Sequence, residues 1–204
     1  MNKIIWIIGG MASGKSTLRR NLSEAFREHE DELYRIEYNS LPVIYTKVSD
    51  TCAVVGKTSK TSACDGLDSC FGELKKEGAI NSVKYCALNY EITILEGSQT
   101  SQQWVEPLKE FCIGNNVDLY IFYIDLHLWD NFNRLLERIQ KRGGDATDMT
   151  DKRIASITTK NSQFRKLYEK YKGDEFIKIY PLEGVSSADE KLIQVYEKVF
   201  NVKV

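Results

Sequence analysis

The sequence predicts an α/β fold in which a parallel β-sheet lies between two layers of helices. Two observations lead to this class: short apolar runs alternate with longer segments of helical periodicity, and a glycine-rich turn joins the first apolar run to the first helical segment. Alternation favours a parallel sheet because parallel neighbours need a crossover connection, which is usually a helix. With 204 residues, 42% of them hydrophobic and 28% charged, the chain is most simply one domain over residues 1–204.

The predicted strands are the runs rich in β-branched and aromatic residues. Two of them, residues 43–48 and 52–55, are separated by a short Ser-Asp turn and are expected to pair as a hairpin. The seven runs are IIWII at 4–8, ELYRIEYNS at 32–40, LPVIYTKV at 41–48, CAVV at 52–55, YEITILEGS at 90–98, VDLYIFYIDL at 117–126 and EFIKIYPL at 175–182.

The segments between these runs have the periodicity and end signals of helices. Gly72 and Gly78 weaken the second segment, a Gly-Asn pair ends the third, and a serine cap opens the last. The helical segments cover residues 17–26, 69–89, 100–116, 129–144, 149–173 and 186–200. Because ligands of such sheets bind beyond the carboxyl ends of the strands, the residues that follow each strand are the candidates for a functional site.

Charge and cysteine content argue against several classes of protein. A net charge of −1 provides no overall field to hold the chain on nucleic acid or on an anionic membrane. Five cysteines without a CxxC pair argue against a disulfide framework and a zinc site, and favour reduced thiols. The apolar run at 4–8 is too short for a signal sequence or a membrane span. We therefore expect a cytoplasmic protein that does not associate with membranes.

The first glycine-rich turn has the spacing of a phosphate-binding loop. Residues 9–16 match the pattern G-x-x-x-x-G-K-[ST], with a strand before them and a helical segment after them. Backbone amides and the dipole of the helix then converge on one point, which binds phosphate. We expect Lys15 to reach the β- and γ-phosphates and Ser16 to be a Mg²⁺ ligand. The predicted triphosphate-binding residues are Gly9, Gly10, Ala12, Ser13, Gly14, Lys15, Ser16 and Thr17.

Three arginines form a stripe on the predicted helix 129–144. Arg134, Arg138 and Arg142 recur every four residues, and the apolar side chains of the segment lie on a different face. Facing a cleft, this stripe would suit a lid over ATP at about residues 130–150, with Arg134 on the nucleotide and the other two on the transferring phosphoryl group. The alternative is a solvated basic face on which Glu137 pairs with Lys141.

The chain resembles P-loop kinases of the nucleoside and nucleotide kinase superfamily in three segments. These are residues 9–16, the strand end ILEGS at 94–98 and the arginine helix. The resemblance implies the P-loop NTPase three-layer fold with a parallel sheet of order 2-3-1-4-5, the use of ATP and Mg²⁺, an acceptor-binding insertion at about residues 40–90, and a lid. It also implies an adenine site at residues 181–185, after the last strand.

The third predicted parallel strand departs from the familiar branches of that superfamily. Glu96-Gly97-Ser98 lacks the Pro-Arg of adenylate-kinase-like enzymes, and Gly97 stands where deoxynucleoside kinases carry an arginine. The Asp-Arg pair of thymidylate kinases occurs nowhere in the chain. The usual cations for a free monophosphate acceptor are therefore missing from these positions.

A second glycine-bearing loop, GKTSKTSACDGLDS at residues 56–69, is similar to a loop of phage-encoded kinases that act on hydroxymethylated bases in DNA. That resemblance implies ATP-dependent phosphorylation of 5-hydroxymethyluracil, a step in DNA hypermodification, with DNA as partner and the host cytoplasm as location. Two alternatives stay open: a kinase of a free nucleoside, nucleotide or other small alcohol, and a P-loop regulatory switch.

The same loop offers an acceptor site. Lys57 and Thr58 could bind an acceptor phosphate and hydroxyl, and Gly66 allows the backbone to approach a ligand closely. Asp65 is the predicted residue that takes the acceptor proton. Asp68 is a second candidate that could instead cap a helix, and Glu96 competes for the same role from its strand end.

A DNA substrate would also need cations for its backbone. The candidates are Arg19, Arg20, Arg27 and Lys47.

Overall fold

The computed structural model describes residues 1–58, 66–98, 102–145, 147, 149, 151–184 and 186–202. Within them, seven strands and six helices alternate largely as predicted. The strands are β1 (Lys3–Gly9), β2 (Glu32–Tyr38), β3 (Leu41–Lys47), β4 (Cys52–Val55), β5 (Ile92–Gly97), β6 (Asp118–Asp125) and β7 (Ile177–Glu183). The helices are α1 (Lys15–Glu24), α2 (Gly66–Asn89), α3 (Gln102–Asn115), α4 (Leu128–Gln140), α5 (Asp151–Tyr171) and α6 (Ala188–Phe200).

All seven strands form one sheet in the order β2-β3-β4-β5-β1-β6-β7. Five of them, β4, β5, β1, β6 and β7, are parallel to one another. Numbered by their order along the chain, these five strands lie in the expected order 2-3-1-4-5. The predicted hairpin is confirmed, because β3 pairs antiparallel with β4. The sheet differs from the expectation at this edge, where β2 adds a further antiparallel strand. Asn39 and Ser40 both have positive φ between β2 and β3, as a two-residue hairpin turn requires.

Helices cover both faces of the sheet, and β1 at its centre contributes to both cores. Ile4, Trp6 and Ile8 of β1 are fully buried in one core, to which α2, α3 and α5 contribute. Ile5 and Ile7 are fully buried in the other, beneath α1 and α6. A strand that is buried on both faces must be apolar throughout, which is why residues 4–8 of β1 form a continuous apolar run.

Helices α4 and the start of α5 pack together through a much smaller third cluster. Leu135 and Ile139 of α4 meet Ile157 of α5, with Ala12 and Met149 at the edge of the contact. Ala12 belongs to the phosphate loop, so this cluster places the two helices beside that loop.

Helix α2 is broken inside the described chain. The break falls at Lys75, whose φ of 59° and ψ of −168° are not helical. It lies between Gly72 and Gly78, the two residues that weaken the helical pattern in the sequence.

Four cysteines, Cys52, Cys70, Cys86 and Cys112, are buried as free thiols, and Cys64 lies outside the described residues. Across the part of the chain that the structure describes, no helix is long and apolar enough to span a bilayer.

Candidate active site

A cavity of about 890 Å³ opens beyond the carboxyl ends of β1 and β5. The phosphate loop and the start of α1 form one wall, and α4 with the start of α5 forms the opposite wall. We call these the P-loop wall, residues 10–20, and the α4–α5 wall, residues 134–144 and 153–160. The end of β5 and the start of α2 contribute Glu96, Ser98 and Asp68 to the space between them.

The phosphate loop is shaped to present backbone amides. Gly14 is the N-cap of α1 at φ 94°, and it has no side chain to bond the first-turn amides, which are left to a ligand. Ala12 is also left-handed, at φ 58°. The Lys15 ammonium donates to the carbonyl oxygen of Gly10 at 2.9 Å, so it lies across the loop. Seven of the predicted triphosphate residues, from Gly10 to Thr17, line the cavity, and Gly9 packs behind them.

Two asparagines that the sequence did not single out lie against this loop. Fully buried Asn131 of α4 donates to the Met11 carbonyl oxygen, and Asn161 of α5 donates to the Leu126 carbonyl oxygen at 3.2 Å. A Cβ added at Gly10 would come within 2.7 Å of Asn131 Oδ1 and 3.1 Å of Asn161 Oδ1. A side chain at position 10 would therefore crowd these two asparagines. A local sequence motif cannot show this constraint, because both asparagines are distant in the sequence.

Glu96 is buried at the end of β5 and touches two residues of α1. Its Oε1 accepts a hydrogen bond from the Ser16 hydroxyl at 2.7 Å, and its Oε2 lies 3.6 Å from Arg19 Nε. Among the described residues, Oε2 has no hydrogen-bond partner. A hydroxyl and a carboxylate at this spacing form an oxygen donor set of the kind that Mg²⁺ prefers, so the residues present fit that ion.

The electrostatics of the phosphate-loop lysine are set by its surroundings. Desolvation lowers the pKa of Lys15 below its ordinary value, and Arg138 and Lys160 act in the same direction. The carboxylates of Glu96 and Asp68 oppose the shift in this pKa. A polyanion bound against Lys15 would favour its charged form, so this lysine is arranged for an anionic ligand.

Asp68, in the first turn of α2, joins that helix to the end of β5. Its Oδ1 accepts from the Ser98 backbone amide at 3.1 Å and from the Ser98 hydroxyl at 3.4 Å. A Cβ at Gly97 would meet Asp68 Oδ1 at 3.2 Å and Leu67 Cβ at 3.2 Å, so a larger residue would crowd this contact. This gives a structural reason for glycine at position 97.

The base of the 56–69 loop is pinned by short backbone contacts. The Gly66 amide donates to the Lys57 carbonyl oxygen at 2.8 Å, and the Ser69 hydroxyl bonds both residues. A Cβ at Gly66 would lie 2.7 Å from Glu96 Cγ, so the close approach that glycine permits here is to Glu96. Asp65, the predicted proton acceptor, lies outside the described residues.

The structure does not bring Lys57 or Thr58 to the described lining of the cavity. Lys57 forms an ion pair with Glu73 of α2, and the Thr58 hydroxyl donates to Asp31 at 3.0 Å. Their polar groups are thus engaged outside the cavity. Gly66 and Asp68 of the same loop do lie beside Glu96 and in the cavity lining, respectively.

All three arginines of the predicted stripe line the cavity. Arg134 and Arg138 lie on α4, whereas Arg142 lies in the turn after Gln140, because the helix ends earlier than the sequence predicted. The start of α5 adds three polar residues that the sequence analysis missed, Arg153, Ser156 and Lys160. Their spacing of three and four residues places them on one face of a helix, which is the signal that could have found them. The position of Lys160 is the best defined of the three, because its ammonium donates to the Ser98 carbonyl oxygen at 2.8 Å.

Of the four cations considered for a DNA backbone, only Arg20 lines the cavity. Arg19 is buried against Glu96. Arg27 pairs with Glu24 and Asp31, and Lys47 pairs with Asp50 at 2.6 Å. The structure therefore does not gather these residues into one basic patch.

The loop after β7 lies apart from the main cavity. Pro181, Glu183 and Gly184 line a second space of about 640 Å³, beside the Asp125–Arg165 ion pair. Buried Lys191 holds this loop by donating to the carbonyl oxygens of Gly184 and Ser186.

No family profile matches this sequence, and no curated protein is similar to it in sequence. Solved structures do match. A gluconokinase from Sinorhizobium meliloti 1021 is 10% identical over 98% of this chain and 96% of its own, with a TM-score of 0.52. The Deinococcus radiodurans tunicamycin resistance protein is 14% identical over the same shares of the two chains, with a TM-score of 0.49.

The chain therefore has a three-layer α/β fold similar to that of the gluconokinase, and the fold class that the resemblance implied is confirmed. The narrower likeness of residues 56–69 to phage DNA kinases stays a prediction, because a fold match to a gluconokinase does not test it.

Proposed function

We propose that this protein is an ATP-dependent phosphotransferase that moves the γ-phosphoryl group to an alcohol. The observation that carries the proposal is the arrangement of one cavity. A phosphate loop that presents backbone amides forms one wall, three arginines line the opposite wall, and two carboxylates lie between them. Phosphoryl transfer needs this combination, because the protein's task is to position two reactants and to neutralise the moving charge.

The P-loop wall binds the donor. First-turn amides of α1 and the ammonium of Lys15 hold the β- and γ-phosphates, and the helix dipole adds to their attraction. Arg134 contacts the nucleotide from α4, and Arg138 and Arg142 stabilise charge on the transferring group. Since α4 rests on a small apolar cluster, we propose that residues 130–150 act as a lid that excludes water.

Ser16 and Glu96 are the residues that would hold Mg²⁺. The ion neutralises charge on the β- and γ-phosphates when it is bound. Arg19 contacts Glu96 from the buried side and helps to fix the position of its carboxylate.

The proton acceptor is one of three carboxylates. Glu96 is already engaged with Ser16 and Arg19, whereas Asp68 lines the cavity from the acceptor side with Oδ1 fixed by Ser98. Asp65 immediately precedes Gly66, whose backbone lies against Glu96. We propose Asp65 as the base, with Asp68 next and Glu96 assigned to the metal.

For the acceptor, the 56–69 loop favours a hydroxymethyl group on a DNA pyrimidine, 5-hydroxymethyluracil. A second candidate is a free nucleoside, nucleotide or other small alcohol. It is favoured by the ion pairs that engage Arg27 and Lys47, since these pairs remove two of the cations that a DNA backbone would use.

Transfer of label from γ-labelled ATP tests the proposal directly. The protein would be incubated with Mg²⁺ and either duplex DNA that contains 5-hydroxymethyluracil or the free hydroxymethyl nucleoside and nucleotide. We expect label in an acceptor, with turnover on DNA falling steeply as salt is added. Label in the free compounds alone would exclude DNA, and a lack of MgATP uptake in calorimetry would exclude the kinase.

Three matched variants assign the base. We expect Asp65→Asn to lower turnover at least about a hundredfold, the scale of a lost proton acceptor. Asp68→Asn would have a smaller effect, and Glu96→Gln would chiefly raise the Mg²⁺ requirement. Near-normal turnover of Asp65→Asn would move the role to Asp68 or Glu96.

A further inference from the structure

The cavity carries more positive charge than its nucleotide requires. Among the described residues that line it, seven are cationic and two are carboxylates. The cations are Lys15, Arg20, Arg134, Arg138, Arg142, Arg153 and Lys160, and the carboxylates are Asp68 and Glu96. The magnesium complex of ATP carries only about two net negative charges, so it offsets less than half of this excess. A second anionic group in the cavity would balance the remainder.

One of the extra cations, Lys160, extends its ammonium away from the α4 arginines. Helix α4 follows β6, whereas the Lys160 ammonium reaches the end of β5, on the opposite side of β1. There it donates to the Ser98 carbonyl oxygen at 2.8 Å, and the Ser98 amide is bonded by Asp68. Lys160 therefore lies among the groups proposed to face the acceptor.

The surroundings of Lys160 suit an anion. Desolvation lowers its pKa below the ordinary lysine value, and Asp68 only partly opposes that shift. A half-buried ammonium without a full counter-charge gains from binding an anion more than an exposed lysine does.

Arg153 and Ser156 extend this surface along one face of α5. Arg153 is three residues before Ser156, and Ser156 is four residues before Lys160. This spacing places a guanidinium, a hydroxyl and an ammonium group in a row on the cavity side of the helix. A phosphate monoester has three acceptor oxygens and up to two negative charges, and it matches such a row better than a carboxylate with two oxygens and one charge.

We infer that the acceptor itself carries a phosphate group, and that Arg153, Ser156 and Lys160 of α5 bind it. The inference rests on the proposed kinase function and specifies its substrate class: a nucleotide, free or within a DNA strand, rather than a neutral nucleoside or sugar. These residues supply the cations that are missing after β5, where Gly97 replaces the arginine of related kinases. They also take the place of Lys57 and Thr58, which are engaged outside the cavity.

Binding and transfer are measured separately to test this. Calorimetry would compare 5-hydroxymethyl-2′-deoxyuridine, its 5′-monophosphate and a duplex containing the same base, each with the protein, Mg²⁺ and a non-hydrolysable ATP analogue. We expect the monophosphate or the duplex to bind at least about thirtyfold more tightly than the nucleoside, and the stronger of the two identifies the source of the phosphate. Equal affinity for nucleoside and phosphorylated forms would overturn the inference, as would no binding of any of them.

The variants Lys160→Ala and Arg153→Ala locate the phosphate. Each should weaken binding of the preferred phosphorylated compound about tenfold or more, leave the nucleoside unchanged, and leave the ATP analogue within about twofold. Lys166→Ala, an exposed lysine of the same helix outside the described lining, is the matched control. Equal losses for nucleoside and nucleotide would indicate a structural role and contradict the assignment.

The labelled-ATP assay separates this inference from the kinase proposal. Phosphate-dependent binding through Lys160 without label transfer would support the inference and contradict the kinase. Label transfer that is equally efficient on the nucleoside would support the kinase and contradict the inference.

Discussion

The two walls of the cavity are built in different ways. The P-loop wall joins the centre of the sheet to two large cores, and its buried Arg19–Glu96 pair is almost inaccessible to solvent. The α4–α5 wall rests on three buried apolar side chains, and farther along α5 the Arg165–Asp125 pair beside the second space is largely exposed. The P-loop wall is therefore held by extensive packing, while the part of α4 and α5 that faces it is held by a small cluster.

The largest difference should appear between the two ion pairs. Replacing Arg19 with Met leaves Glu96 buried and uncompensated, so we expect a loss of about 3–5 kcal/mol in the free energy of unfolding. Replacing Arg165 with Ala breaks an exposed pair and should cost no more than about 1 kcal/mol. Urea unfolding measures both, and the double variant Arg19→Met/Glu96→Gln should recover much of the loss. Equal costs for the two pairs would show that the walls do not differ in this way.

The cations proposed to act in catalysis should also differ in effect between the two walls. Lys15→Ala removes a charge that we propose to lie beside the β- and γ-phosphates, so we expect at least about a hundredfold lower turnover. Arg142→Ala removes a more exposed cation in the turn after α4, and a loss of about tenfold is expected. Label transfer at saturating ATP gives both values, and a larger loss for Arg142→Ala would place the main charge stabilisation on the α4–α5 wall.

Steric contact between the walls is tested at Gly10. The variant Gly10→Ala would force a Cβ against the side chains of Asn131 and Asn161, and such overpacking costs about 1–3 kcal/mol. We expect a weaker ATP affinity and a lower melting temperature. Gly72→Ala in α2 is the control, since its Cβ meets no atom within 4 Å and should be neutral or stabilising. An unchanged ATP affinity in Gly10→Ala would mean that the walls separate without affecting the loop.

The smallest effects should come from one methyl group in each wall. Ile7→Val in β1 and Ile139→Val in α4 delete the same atom, from a fully buried site and from the edge of the small cluster. Within the usual range of about 0.5–1.5 kcal/mol, we expect Ile7→Val near the top and Ile139→Val near the bottom. Reversed values in denaturant unfolding would show that the small cluster is packed as rigidly as the main core.

The strand, turn and helix start around residues 9–16 could be predicted from the sequence because their signal is local. A strand, a glycine-rich turn and a helix start are contiguous, and the backbone geometry they impose binds phosphate with little help from elsewhere. The order of the five parallel strands was likewise predictable through the resemblance, and the β3–β4 hairpin through its short turn.

The acceptor half depends on pairings that sequence spacing does not encode. Lys57 follows a strand end as a site residue should, yet Glu73 lies close enough to pair with it. Lys160 sits in an ordinary charged helix, and only folding brings its ammonium to the Ser98 carbonyl oxygen.

By itself, the sequence determined the α/β alternation, the glycine-rich turn at residues 9–16 and the arginine stripe at residues 134–142, because each arises from residues adjacent along the chain or spaced by one helical turn. The tertiary structure alone decided which cations face the cavity and which are engaged elsewhere, that a Cβ at Gly10 or Gly97 would crowd neighbouring side chains, and that α5 supplies part of the wall. Those outcomes depend on contacts between residues up to 151 positions apart, as with Gly10 and Asn161, and hydrogen bonds and side-chain packing act only over a few ångströms.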